Sequence, residues 1–218
     1  MRARLLVVAV LFAAFRAPAQ APNATARLGS DARNAVERIV DSARVAGLPT
    51  GPLLDKVREG TLKGADDQRI VAAVQSLSRE LATARSLLGS ASNASLLGAT
   101  ASAVHAGVPI ADLRRLLRPP GEESFEADRL TSALVVLVDI VAKRVPPGAA
   151  ASAIGDMLQR GAPERQFIAL RGEVEQDILA GRAPESALID RTRAHLRTLN
   201  GNPLSPRVIP PQAPPYLQ

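Results

Sequence analysis

Four times along the chain a glycine is followed two or three residues later by a proline, and four residues after that by an apolar side chain. The instances are Gly47-Leu-Pro49 with Leu53, Gly107-Val-Pro109 with Leu113, Gly161-Ala-Pro163 with Phe167, and Gly181-Arg-Ala-Pro184 with Leu188; Val145-Pro146 is a partial copy. Few folds accommodate this punctuation. Glycine takes the left-handed conformation that closes a helix. Proline is tolerated at the first position of the next helix, where its missing N–H is not needed. The residue between them can staple the new helix to the old one. Each instance therefore reads as a tight corner between two helices.

The segments between the corners carry helical periodicity. Residues 30–46 place Val36, Ile39, Val40 and Ala43 on one stripe, and residues 52–59 place Leu53, Leu54 and Val57 inward. Residues 66–88 form a long helix with Ile70, Val74, Leu77, Leu81, Ala84 and Leu88 in a seam of alternating fours and threes. An Ala- and Ser-rich stretch, 94–106, makes a weaker helix with Gly98 inside it, and 109–118 a short one with Ile110, Leu113, Leu116 and Leu117 inward. Residues 124–144 are apolar nearly all round through Ala133-Leu-Val-Val-Leu-Val138 and Ile140-Val-Ala142, which predicts the central helix of the domain. Residues 147–160, 163–180 and 184–199 complete the set, the last with Leu188, Ile189, Leu196 and Leu199 inward. Acidic residues gather after the helix starts (Asp31, Asp66, Asp67, Glu164, Glu185) and arginines near the ends, as the helix dipole favours.

Composition supports the same reading. The chain has no cysteine or tryptophan, one tyrosine and four phenylalanines, so its core is built from Leu, Val, Ile and Ala. Small side chains suit closely packed helices better than a sheet, where aromatic and β-branched residues are enriched. The expected fold is all-α: an irregular bundle or a short stack of helical hairpins, with short and long helices alternating. The spacing of the units is too uneven for a named repeat.

Residues 1–19 read as a secretory signal. Met1-Arg-Ala-Arg4 is basic, Leu5 to Phe15 is an apolar run, and Ala17-Pro-Ala19 supplies a small-x-small cleavage site ending at Ala19. The run is too short to span a bilayer, which takes about 20 apolar residues. The expected organisation is a leader (1–19), a flexible polar lead-in (20–29), a helical domain (30–199) and a Pro-rich extended tail (200–218) holding six of the 17 prolines. Such a tail favours polyproline-like conformations and acts as a spacer or as a ligand for an aromatic groove. The expected location is periplasmic or secreted. Asn23-Ala-Thr25 and Asn93-Ala-Ser95 match the glycosylation sequon by chance.

The stretch Gly47-Leu-Pro-Thr-Gly-Pro-Leu-Leu-Asp-Lys-Val-Arg-Glu-Gly-Thr-Leu-Lys-Gly64 resembles a segment of exported bacterial helical proteins of unknown function. The resemblance covers under a tenth of the chain and implies export and a helical fold, with no activity attached.

No familiar constellation for chemistry stands out. His105 and His195 each lack a histidine or carboxylate three or four residues away, so neither reads as a metal ligand. The pairs Asp66-Asp67 and Glu122-Glu123 sit at helix starts, where capping accounts for them. There is no Gly-x-Ser-x-Gly elbow, no Ser-x-x-Lys and no glycine-rich phosphate loop. Two arginine groups are candidate contacts for an anion or an acidic partner: Arg114, Arg115 and Arg118, and Arg191, Arg193 and Arg197. The net charge of +6 includes Arg2, Arg4 and Arg16 of the leader, so the exported part is only weakly basic. Specific nucleic-acid binding, which draws on a concentrated basic face and stacking aromatics, is not expected. The expected role is a non-catalytic interaction module of the cell envelope with a protein partner and no cofactor. A binder of polyanions or anionic membrane is the alternative, and an enzyme with an unfamiliar site the third.

Overall fold

The corners give the architecture. In the computed structural model, which describes Thr25 and residues 27–89, 93–117 and 126–200, every described residue in regular structure is helical. Nine helices are seen among them: α1 Ser30–Val45, α2 Gly51–Leu62, α3 Asp67–Leu88, α4 Ala94–His105, α5 Ile110–Leu117, α6 Ala127–Ala142, α7 Pro147–Gln159, α8 Glu164–Leu179 and α9 Pro184–Asn200. Residues 1–19, expected to be a leader ending at Ala19, as well as Arg118, the Glu122-Glu123 pair and residues 201–218 of the expected tail, lie outside the described residues.

Gly47, Gly107, Gly161 and Gly181 all adopt positive φ, as the corners require. At each, the glycine N–H donates to the carbonyl three residues back and the next N–H reaches five back, for example Gly47 to Arg44 (3.0 Å) and Leu48 to Ala43 (2.9 Å). Leu48, Val108 and Ala162 are buried as staples, and so is Val145 of the partial copy. The fourth corner differs. It is one residue longer, Arg182 takes the staple position, and Ala183 is exposed. Gly64 closes α2 in the same way (φ 66°), without a proline. The α6–α7 corner has Arg144 where the others have glycine, at φ 69°.

Helices pack on their second neighbours. Contacts link α1 to α3, α4 to α6 and α6 to α8 on one side, and α5 to α7 and α7 to α9 on the other. The registers are parallel. Between α1 and α3, the Gly29 N–H donates to Asp67 Oδ2 (2.9 Å) and Arg85 Nη2 to the Gly47 carbonyl (3.3 Å), both 38 residues apart. Between α6 and α8, Ser132 donates to Glu164 (2.7 Å), Arg171 Nη1 pairs with Asp139 (2.8 Å) and Lys143 pairs with Glu175, all 32 residues apart. The arrangement is therefore a stack of helical hairpins. Adjacent α3 and α4 run antiparallel and join its two parts.

Two apolar cores result. One gathers α1, α2 and α3 around Val36, Leu53, Val57, Val74 and Leu81. The other gathers α5 to α9 around Leu113, Leu134, Ile140, Ile154, Met157, Phe167 and Leu170. Helix α4 belongs to both: Leu97 and Ala101 face the first, while Leu96, Ala99 and Ala103 face the second. The Ala-rich helix that reads as weak is thus as central as α6. Small side chains on all its faces let helices approach from two directions at once. Several expected core residues fall at the margin instead. Leu54, Leu77, Leu88 and Leu117 are half-buried, Leu87 takes the buried place beside Leu88, and Ile110 and Ile189 are exposed.

Candidate functional site

The most concentrated set of charged side chains among the described residues lies where α8 meets α9. The fold positions it through the α8–α9 corner, which turns α9 back antiparallel along α8. Asp177, in the last turn of α8, is only 8% exposed. Arg191 reaches it from α9 with both Nε and Nη2 at 2.8 Å, a two-pronged grip matched to a carboxylate. Arg182, in the corner itself, adds Nη1 at 3.1 Å and pairs through Nη2 with Asp190. Hydrogen bonding from Arg191 holds the Asp177 carboxyl below its usual range, outweighing the opposing effect of burial. The same bond raises the Arg191 guanidinium.

The network continues along α9. Arg191 Nη1 lies 3.6 Å from Glu173, Arg193 Nη1 lies 3.6 Å from Asp190, and His195 Nε2 lies 3.3 Å from Glu173. The His195 ring is 12% exposed and its Nε2 is out of hydrogen-bonding alignment. Of the second arginine group, then, Arg191 is committed to Asp177 within the fold. Arg193 holds a long, exposed pair, and Arg197 projects from the last turns of α9 with Nε 3.4 Å from the Arg193 carbonyl. Arg191, expected as an anion or partner contact, is engaged as a clamp between α8 and α9. Its partner is 14 residues away on another helix, beyond what periodicity along α9 reveals.

The first arginine group is divided too. Arg114 is exposed, Arg115 pairs with Asp112 one turn before it, and Arg118 lies outside the described residues. Beside Arg115 a recess of about 100 Å³ opens between α5 and α7. Asp112, Ser152 and Asp156 rim it over Leu116 and Gly155. Gly155 allows the approach, since a Cβ there would stand 3.2 Å from Leu116 Cδ2. A more open depression lies between the starts of α1 and α3, rimmed by Asp31 and Asp67 over Ala32 and Val71.

His105 acquires a partner that sequence spacing did not show. Its Nδ1 lies 2.8 Å from Glu80 Oε1 on α3, and Ser76 donates to the same oxygen at 2.9 Å. The imidazole itself is 74% exposed at the end of α4. The order of groups is hydroxyl, carboxylate, imidazole, with the carboxylate in the middle. That arrangement orients the ring but leaves the imidazole out of contact with the hydroxyl, unlike a relay in which the imidazole stands between hydroxyl and carboxylate. Asp66 caps α3 by accepting from the Arg69 N–H (2.8 Å), and Asn93 caps α4 by accepting from the Leu96 N–H (2.7 Å). Among the described residues no three potential ligands gather as a metal site, and no helix is long and apolar enough to cross a membrane. Comparison of the chain with family models, with curated proteins and with solved structures finds no match.

Proposed function

We propose that the chain is an exported, non-catalytic interaction module of the cell envelope, presenting the flanks of a helical stack to a protein partner. The observation that carries this reading is how the described ionisable groups are used. Asp177, Asp139, Glu175 and Glu80 each hold a neighbouring helix, and even the best-formed cluster, at α8–α9, is a clamp. Stacked helix pairs lend themselves to binding because their side-by-side helices form long continuous surfaces. Export rests on the basic, apolar and small-residue pattern ending at Ala19.

The test is capture in place. Crosslinking in intact cells, followed by purification of the chain, should recover a discrete envelope protein whose crosslinks map to exposed helix flanks. Sedimentation across a concentration series reports self-association separately. A strict monomer that captures nothing overturns the reading.

Binding of polyanions is the second reading, favoured by the exposed Arg114, Arg193 and Arg197. It requires binding to heparin or anionic vesicles that falls steeply with salt. Salt-independent binding, or none, removes it.

A further inference from the structure

The left-handed position at the α6–α7 corner is held by an arginine. Gly47, Gly107, Gly161 and Gly181 occupy the equivalent places with φ between 68° and 89°, and Arg144 sits among them at 69°. A side chain with a Cβ is strained there, because the Cβ crowds the following carbonyl. The fold does not need that side chain. Arg144 is exposed and has no ion-pair partner among the described residues, whereas its neighbour Lys143 is paired with Glu175. Backbone strain kept at a surface position, where glycine would relieve it and no ion pair or side-chain hydrogen bond among the described residues offsets it, points to a use outside the fold.

The surroundings say what kind of use. Parallel packing brings three corners into a row. Gly148, just after the α6–α7 corner, lies beside Asp112 of α5, and Lys143 bonds Glu175 of α8. Arg144 is therefore in the middle, with the α4–α5 corner on one side and the α8–α9 corner on the other. The neighbouring basic side chains with a described partner are occupied: Lys143 by Glu175, and Arg182 by Asp177 and Asp190, while the His105 ring bonds Glu80. One turn beyond Glu175 on the same face of α8, Leu179 is 81% exposed.

We infer that Arg144 is a partner-binding residue, and that its ligand is a carboxylate side chain of a protein segment that also sets an apolar group against Leu179. A polyanion or an anionic bilayer gains affinity from many cations acting together. One available guanidinium between paired charges, at the same end of the stack as one exposed leucine, suits a protein surface better. The inference rests on the interaction reading above and names its contact.

The experiment uses the full chain in its own envelope. Arg144→Gly should raise the melting temperature by about 2–4 °C, as relief of one strained residue predicts for a domain this size. It should also lower recovery of the crosslinked partner about tenfold, the worth of one charge-assisted hydrogen bond. Arg144→Lys keeps the strain and the charge and supplies an amine. Carbodiimide treatment should then couple position 144 to an Asp or Glu of the partner, located by mass spectrometry. Unchanged recovery with Arg144→Gly, or no coupling of position 144 to a carboxylate, overturns the inference and leaves the interaction reading standing. A melting temperature that does not rise removes its premise. No partner recovered by the unaltered chain defeats the interaction reading itself.

Discussion

Two glycines in helix interiors should respond oppositely to the same added methyl group. Alanine is better than glycine inside a helix by about 1 kcal/mol, whatever surrounds it. At Gly98, midway along α4, a Cβ would meet nothing within 4 Å, so Gly98→Ala should stabilise by about that amount. At Gly60, in α2, a Cβ would stand 2.7 Å from Ile70 Cγ1 and 3.3 Å from Cδ1. Ile70 is buried on α3, and its branched side chain has little freedom to turn away. Overpacking of this kind costs about 1–3 kcal/mol. Set against the helix gain of about 1 kcal/mol, Gly60→Ala should come out between neutral and about 2 kcal/mol destabilising. The two variants should therefore differ by about 1–3 kcal/mol, or roughly 2–12 °C in melting temperature for a domain this size. Urea unfolding followed by circular dichroism measures both, and an unchanged m-value would show that the same surface unfolds. Equal stabilisation by the two substitutions would refute the close seating of α2 on α3 at Gly60.

Asp177→Asn removes the charge that Arg191 and Arg182 grip, and should lower the melting temperature more than Asp41→Asn, whose partner Arg44 is on the open surface. Phe167→Ala empties a fully buried position in the larger core and should cost about 3–5 kcal/mol in urea unfolding. Acid should act through the depressed carboxyls. Asp177 contributes stability above the ordinary carboxyl range near pH 4, and that contribution is lost as pH falls through its lower folded value. Glu59, held at about 2 first by its bond to Lys56 and then by Lys63, adds a smaller term that fades over the same interval, because the pair is half-exposed. An acid titration of stability should therefore show less loss below pH 4 in Asp177→Asn than in the unaltered chain.

Helix positions were legible because their ends are written in local chemistry. A left-handed glycine and a proline act within a few residues, so α2, α5, α8 and α9 begin within a residue or two of where the corners place them. Burial was less legible where it depends on which helices flank an element. Ile189 fits a helical stripe with Leu188, yet it is 46% exposed, because among the described residues the main packing of α9 is on α7 and α8 and leaves that face open. The opposite error concerns α4. A helix buried on two sides lacks the single apolar stripe that periodicity detects, and alanine hides how closely its neighbours approach. Its central place follows from Leu97 and Ala101 facing one core while Leu96, Ala99 and Ala103 face the other.

The charged groups were least legible, for a geometric reason. Composition and spacing show which residues carry charge, but the fold chooses their partners by stacking register. Glu164, Arg171 and Glu175 are matched to α6 by one constant offset of 32 residues, which no motif along α8 announces. The antiparallel pairing of adjacent helices likewise brings Arg191 of α9 to Asp177 of α8 and His105 of α4 to Glu80 of α3. The parallel stacking also sets the corners side by side, so that Arg144 faces outward between groups already paired. The partial copy of the corner motif at Val145-Pro146 was visible from the start. Its meaning depends on the backbone: the residue standing in for glycine shares glycine's conformation without sharing its freedom.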